Sequence, residues 1–304
     1  GGTNIQSALR TSLRLLDAPD RSSLVVFLTD GLPTVGETDL AALEKEIGRE
    51  NARGARLYVF GVGNDVNTHF LDRIAARNKG LAETVREREA IDPVVTAFFT
   101  KIAHPVLGDV TVSAPEAHAY DFYPPEAPDL YKGAQVLRFG RYRGQGPVRI
   151  VVQGKVEGRV AEFAYDRSLP AHDLRNPFIA RIWASQKIGY LLDEIRLHGR
   201  SQELVDEVLA LSRKHGIMTE YTSFLIDEDG TSAPAAVRAA ALDNFDRAFR
   251  EQNGEWAISQ CRNGQAYKQN ENVASINLIV DRNGDARRLD RVRQVGRKVF
   301  CNER

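Results

Sequence analysis

The chain has 304 residues, enough for about two or three domains and a sizeable core. Acidic and basic residues balance at 41 each, so no global charge steers it toward nucleic acid or a membrane surface. No apolar run approaches the roughly 18–20 residues that span a bilayer.

Residues 1 to about 105 read as alternating helix and strand. Thr3 is read as the cap of a first helix whose stripe is Ile5, Leu9, Leu13 and Leu16. Leu24 to Leu28 is a continuous apolar run, the pattern of a parallel strand covered on both faces. Leu40, Leu43 and Ile47 share one face of the next helix, and Leu57 to Val62 form a second buried strand closed by Gly61 and Gly63. Phe70, Leu71 and Ile74 mark another helix; Val94, Val95, Phe98, Phe99 and Ile102 mark one more. Strands alternating with helices predict an α/β unit with a doubly wound parallel sheet over 1–105.

The pattern changes near Pro105. Over 106–170, Val110 and Val112, then Val148, Ile150 and Val152, alternate with polar positions, and Pro124-Pro125, Gly133 and Gly144 punctuate them. This is expected to be an antiparallel β module. Residues 171–226 predict a helical hairpin: Ile188, Leu191, Leu192 and Ile195 line the first helix, Gly199 ends it, Ser201 caps the second, and Gly216 closes it. Residues 227–304 form a variable segment. A helix carrying Phe245 and Phe249, a loop rich in Asn and Gln, and a strand pair turning at Asn283-Gly284 are expected there.

Two short stretches carry the chemistry. Gly1-Gly2-Thr3-Asn4-Ile5 opens a helix, and Phe27-Leu28-Thr29-Asp30-Gly31 ends a strand. Both place oxygen ligands at the ends of parallel strands, where open α/β sheets bind ligands. A hard cation such as Mg²⁺ takes oxygen donors, and a hydroxyl beside a carboxylate suits it. Together they resemble two of the three metal loops of a von Willebrand factor A domain. The third loop, Asp-x-Ser-x-Ser, lies earlier in that family, so the sequence is expected to be a fragment. Further stretches are similar to bacterial proteins of the inter-alpha-trypsin inhibitor heavy chain kind. These are Gly61-Val62-Gly63-Asn64-Asp65-Val66-Asn67-Thr68, residues 100–110, and the block from Arg181 to Gly199. His215-Gly216-Ile217-Met218-Thr219, Tyr221-Thr222-Ser223-Phe224-Leu225 and Val292-Arg293-Gln294-Val295-Gly296 continue it.

The resemblance implies a binding protein rather than an enzyme, with a metal-ion-dependent adhesion site. In the intact protein Thr3 would bind Mg²⁺ (or Mn²⁺ or Ca²⁺) directly and Asp30 largely through a water; in the fragment the site is incomplete, with binding weak or absent. A partner's Asp or Glu carboxylate would complete the coordination. It also implies export to the periplasm or cell envelope, which would permit a disulfide between Cys261 and Cys301. A scaffold with an unused metal site is the alternative; a cation-dependent phosphoryl-transfer enzyme is a further one, for which no general base beside Asp30 can be named.

Other motifs read as structural. Gly61-Val62-Gly63 lacks the third glycine of a dinucleotide loop. The six histidines show no metal-ligand spacing, and no Gly-x-Ser-x-Gly elbow exists. Asp281, Asn283 and Asp285 alternate as in a calcium loop, but Ala286 and Val292 occupy its glycine and glutamate positions. The basic run from Arg287 to Lys298 lacks interleaved aromatics and reads as a solvated strand face. Trp183 and Tyr190 read as core.

Overall fold

Asn4, rather than Thr3, starts the first helix. Its side chain accepts from the Ser7 amide at 2.8 Å, and helix α1 runs Ile5–Arg14. Asn is at least as good a cap as Thr, and the backbone of Thr3 is engaged elsewhere. The computed structural model describes residues 2–16, 23–173, 175–199, 201–219, 221–222, 239, 242–243, 245–248, 250–280, 285–288, 293–295 and 298–300.

The first unit continues with β1 (Leu24–Thr29), α2 (Leu40–Glu50), β2 (Arg56–Val62), α3 (Thr68–Arg77), β3 (Ala82–Val85) and α4 (Ile91–Ile102). Asp39 and Asn67 cap α2 and α3. The three strands pair in parallel in the order β1-β2-β3. Crossover helices between parallel strands are what the doubly wound reading requires. Sequence patterning did not reveal β3, whose short Ala-Glu-Thr-Val segment carries neither an apolar run nor a clear alternation. The central strand β2 is covered on both faces and buried except at its last residue. β1 is not: Leu24 and Leu28 are 37% and 48% exposed, because β1 borders this sheet and pairs on one side alone among the described residues. One core forms where Ile5, Leu9 and Leu13 of α1, Leu43 and Ile47 of α2 and Phe70, Leu71 and Ile74 of α3 meet the strands.

From Pro105 the chain becomes antiparallel. Strands β4 (Pro105–Ser113), β6 (Leu130–Tyr131), β8 (Gly146–Val156) and β9 (Arg159–Leu169) form a sheet in the order β6-β4-β8-β9; β5 (Tyr120–Tyr123) pairs with β7 (Phe139–Arg141). The β8–β9 hairpin turns on Glu157 and Gly158, both at positive φ (49° and 79°), as a two-residue turn between twisted strands requires.

Helices α5 (Phe178–His198) and α6 (Gln202–His215) form the expected hairpin. Ser201 caps α6, and Gly216 ends it in the left-handed region. A second core gathers Ile188, Leu192 and Ile195 of α5 with Val205 and Val208 of α6 and with Tyr221 and Phe245. Phe245 is helical and stacks on Tyr221 at 4.4 Å, whereas Phe249 lies outside the described residues.

The loop expected to be rich in Asn and Gln is instead largely a helix, α7 (Gly254–Lys268). Gln260 and Asn263 on it are buried and partnered. Gln260 donates to the Ala248 carbonyl, while Asn263 bonds both the carbonyl and the amide of Val280. Buried amide side chains satisfied by backbone groups look like loop composition when read in one dimension. Strands β10 (Leu278–Val280) and β11 (Ala286–Arg288) pair antiparallel, as do β12 (Arg293–Val295) and β13 (Lys298–Phe300). The turn at Asn283-Gly284 lies outside the described residues.

Candidate functional site

The exit from β1 is a hydroxyl-carboxylate pair. Thr29, the last residue of β1, is buried and donates its hydroxyl to the Gly31 carbonyl at 3.0 Å, turning the chain sharply. Asp30 is thereby left exposed at the strand end. The loop that follows crosses to the start of α1. Thr34 and Val35 both donate their amides to the Thr3 carbonyl, at 2.9 and 3.2 Å. The Thr3 amide donates in return to the Thr34 hydroxyl at 2.8 Å. Asp30 thus begins the loop, and Thr3 is bonded to its far end.

Close approach of these two segments depends on glycine. A Cβ on Gly2 would stand 2.2 Å from a methyl of Val35. Gly36 has φ of 81°, and a Cβ there would sit 2.9 Å from the side-chain oxygens of Asn4 and Gln6. Gln6 also accepts from the Glu37 amide and donates to Glu46 of α2, fastening the loop to two helices. Among the described residues, neither the Thr3 hydroxyl nor the Asp30 carboxylate is spent on a hydrogen bond or ion pair. Leu32 and Val35, 40% and 48% exposed, give the loop an apolar rim.

These donors fit a hard divalent cation in kind, being oxygen alone, and fall short in number. Mg²⁺ takes about six oxygens, and among the described residues no group of three or more His, Cys, Asp or Glu side chains could hold a metal.

A second polar centre escaped sequence reasoning. Arg196 of α5 pairs with Asp72 of α3 at 2.9 Å, both nearly inaccessible. The Cys261 thiol of α7 donates to Asp72 at 3.3 Å, and Lys268 of α7 pairs with Asp193 of α5. Burial pushes the Asp72 carboxyl up against the pull of Arg196. Burial, with Arg196 and Arg73 nearby, holds His69 down to about 3. Arg262 of α7 adds hydrogen bonds to the Thr84 carbonyl of β3 and an ion pair with Glu89. This joint fixes the helical module against α3 and β3. Its thiol is not a nucleophile: burial raises Cys261 well above the ordinary thiol range. Cys261 is free, and Cys301 lies outside the described residues. Charged residues scattered over 72, 193, 196 and 268 share no local motif, so only the tertiary fold reveals the cluster.

Residues 1–96 match the model of the von Willebrand factor type A domain. The chain carries such an A domain. Similarity runs well past it: inter-alpha-trypsin inhibitor heavy chain H4 of Homo sapiens is 28% identical over 269 residues, covering 81% of this chain and 29% of that protein. Inter alpha-trypsin inhibitor, heavy chain 4, of Mus musculus is 30% identical over 248 residues, covering 74% and 26%. The chain therefore spans less than a third of the length of these relatives. A solved von Willebrand factor type A structure from Catenulispora acidiphila aligns at 16% identity with a TM-score of 0.46, over 80% of this chain and 68% of that one.

Proposed function

We propose that the chain is a protein-binding module whose contact site is the loop pair at the end of β1. A domains commonly mediate metal-dependent protein interaction. The observation that supports the reading is the cross-bonding of Thr3 with Thr34 and Val35, which ties the start of α1 to the far end of the loop that the exposed Asp30 begins. Thr3 would ligate Mg²⁺ directly and Asp30 through water, and a carboxylate of the partner would take an open position. The bound cation would supply the charge that makes an Asp or Glu the preferred contact. Oxygen donors beyond these two are needed for tight binding, as the Asp-x-Ser-x-Ser loop of related A domains would provide. Export to the periplasm or cell envelope belongs to the same proposal. Enzyme chemistry has less support, since no histidine or second carboxylate is bonded to Asp30 among the described residues.

Calorimetric titration with Mg²⁺ tests this reading. The expected result is affinity on the millimolar scale, because Mg²⁺ dehydrates reluctantly and the cage is incomplete. Thr3→Ala and Asp30→Ala should each abolish it. Micromolar binding that survives both substitutions would locate the cation elsewhere and favour a scaffold whose strand-end site is unused.

A further inference from the structure

The edge of the antiparallel module offers a second, metal-independent contact. Among the described residues β9 is an outer strand, and its 11 residues pair with β8 in unbroken register from Gly146↔Leu169 to Val156↔Arg159. The opposite edge, β6, is two residues long. Edge strands are ordinarily guarded by shortness, bulges, proline or charged side chains. β9 is long, unbulged and without proline or lysine, and its charges are Arg159, Glu162, Asp166 and Arg167.

Its two faces differ in charge. On one face Glu162 accepts from Gln153 at 2.8 Å, and Asp166 stands 3.9 Å from Arg149, so acids and cross-strand partners balance. On the other face Arg159, Phe163, Tyr165 and Arg167 lie in a row, since alternate residues share a face. Phe163 and Tyr165 are each 46% exposed. Neither arginine has an acidic partner among the described residues; Arg167 stands over the Tyr165 ring at 5.9 Å. This row is an apolar centre with a positive charge at each end.

We infer that β9 accepts, by strand addition, an extended acidic-apolar segment of a protein partner. Its carboxylates meet Arg159 and Arg167, and its apolar side chains cover Phe163 and Tyr165. Main-chain hydrogen bonds along the edge supply affinity, and alternate side chains supply selectivity. A second copy of the chain fits worse. Antiparallel self-pairing centred on Phe163 sets Arg159 against Arg167 twice. Centring on Ala164 opposes Glu162 and Asp166 twice. Centring on Tyr165 leaves Arg159 beyond the paired strand and gives neither arginine an acid. Like charges directly opposite are destabilising.

The probe is a fluorescein-labelled, end-blocked peptide, Glu-Thr-Val-Thr-Val-Thr-Val-Thr-Glu, with a Lys-ended counterpart, read by fluorescence anisotropy on the full chain. The Glu-ended peptide should bind more tightly, and binding should weaken with salt. The double variant R159E/R167E should lose about tenfold in affinity for it and prefer the Lys-ended peptide, as two rim charge pairs would require. Both positions are exposed, and unchanged circular dichroism confirms the fold of the variant. EDTA and Thr3→Ala should leave this binding untouched, which separates its failure from failure of the metal-site reading. Absence of binding by both peptides, or a preference that ignores charge reversal, overturns the proposal. So does sedimentation showing a dimer that R159E/R167E dissociates, which assigns the edge to a second copy.

Discussion

The loop pair at the end of β1 and the joint of α3, α5 and α7 hold polar groups in opposite ways. At the joint, Asp72, Arg196, Asp193, Lys268 and Cys261 are withdrawn from water and answered by one another. At the loops, Thr3 and Asp30 keep their side chains unspent among the described residues, while bonds from the Thr3 backbone to Thr34 and Val35 hold the frame. A buried polar group left without its partner is costly, so the joint can tolerate little change. An exposed one costs little, so the loops can present ligands to something outside. The difference separates the part that fixes the architecture from the part that can bind.

Breaking the joint should give the largest effect. Asp72→Ala strands the Arg196 guanidinium in the interior, and loss of one member of a buried pair costs about 3–5 kcal/mol. Urea unfolding should show a loss of this size, and the double variant D72L/R196M should lose less than either single variant. Additive losses would mean that the two charges are not coupled.

Acid probes the same contrast. His69 is held at about 3 against an ordinary value of 6.5, and burial with nearby Lys214 holds His215 at about 4. Between those limits the unfolded chain binds protons that the folded chain refuses. Stability should therefore be fully present above pH 6.5 and decline as pH falls toward 4, by about 1.4 kcal/mol per pH unit for each group. His69→Gln should flatten the decline. A slope unchanged by that substitution would contradict the buried, neutral assignment.

At the loops the effects should be smaller, and they divide at one residue. Asn4→Ala removes the cap of α1 and should cost about 1 kcal/mol. Among the described residues the half-buried Thr3 side chain caps nothing and makes no hydrogen bond, so Thr3→Ala should cost less, about 0.5 kcal/mol. Thermal unfolding of the two variants side by side sharpens the comparison. Equal losses would return the cap to Thr3.

Much of the fold was legible because its signals were local. The stripe of Ile5, Leu9 and Leu13, the apolar run of β2, and the Ser201 and Gly216 helix stops each rest on a few neighbouring residues. The failures came where tertiary contacts decide. Thr3 reads as the cap in sequence, and only the bond from the Ser7 amide to the Asn4 side chain shows that Asn4 takes the role. The Leu24–Leu28 run reads as buried until its place at the margin of the sheet is known. Helix α7 was hidden because Gln260 and Asn263 find backbone partners far away in sequence. The site residues Thr3 and Asp30 stood out through Gly-Gly-Thr and Thr-Asp-Gly, whereas the acids and bases of the buried joint share no motif.

In the proposed site Thr3 and Asp30 together face a divalent cation. Mn²⁺ titrated into ¹⁵N-labelled chain tests it most directly, since the paramagnetic ion broadens amide signals near its site. Selective broadening is expected at Gly2 to Asn4 and Thr29 to Gly31, reversed by excess Mg²⁺ and lost in both Thr3→Ala and Asp30→Ala. Broadening that begins at other acidic surfaces and is unchanged in these variants would contradict it.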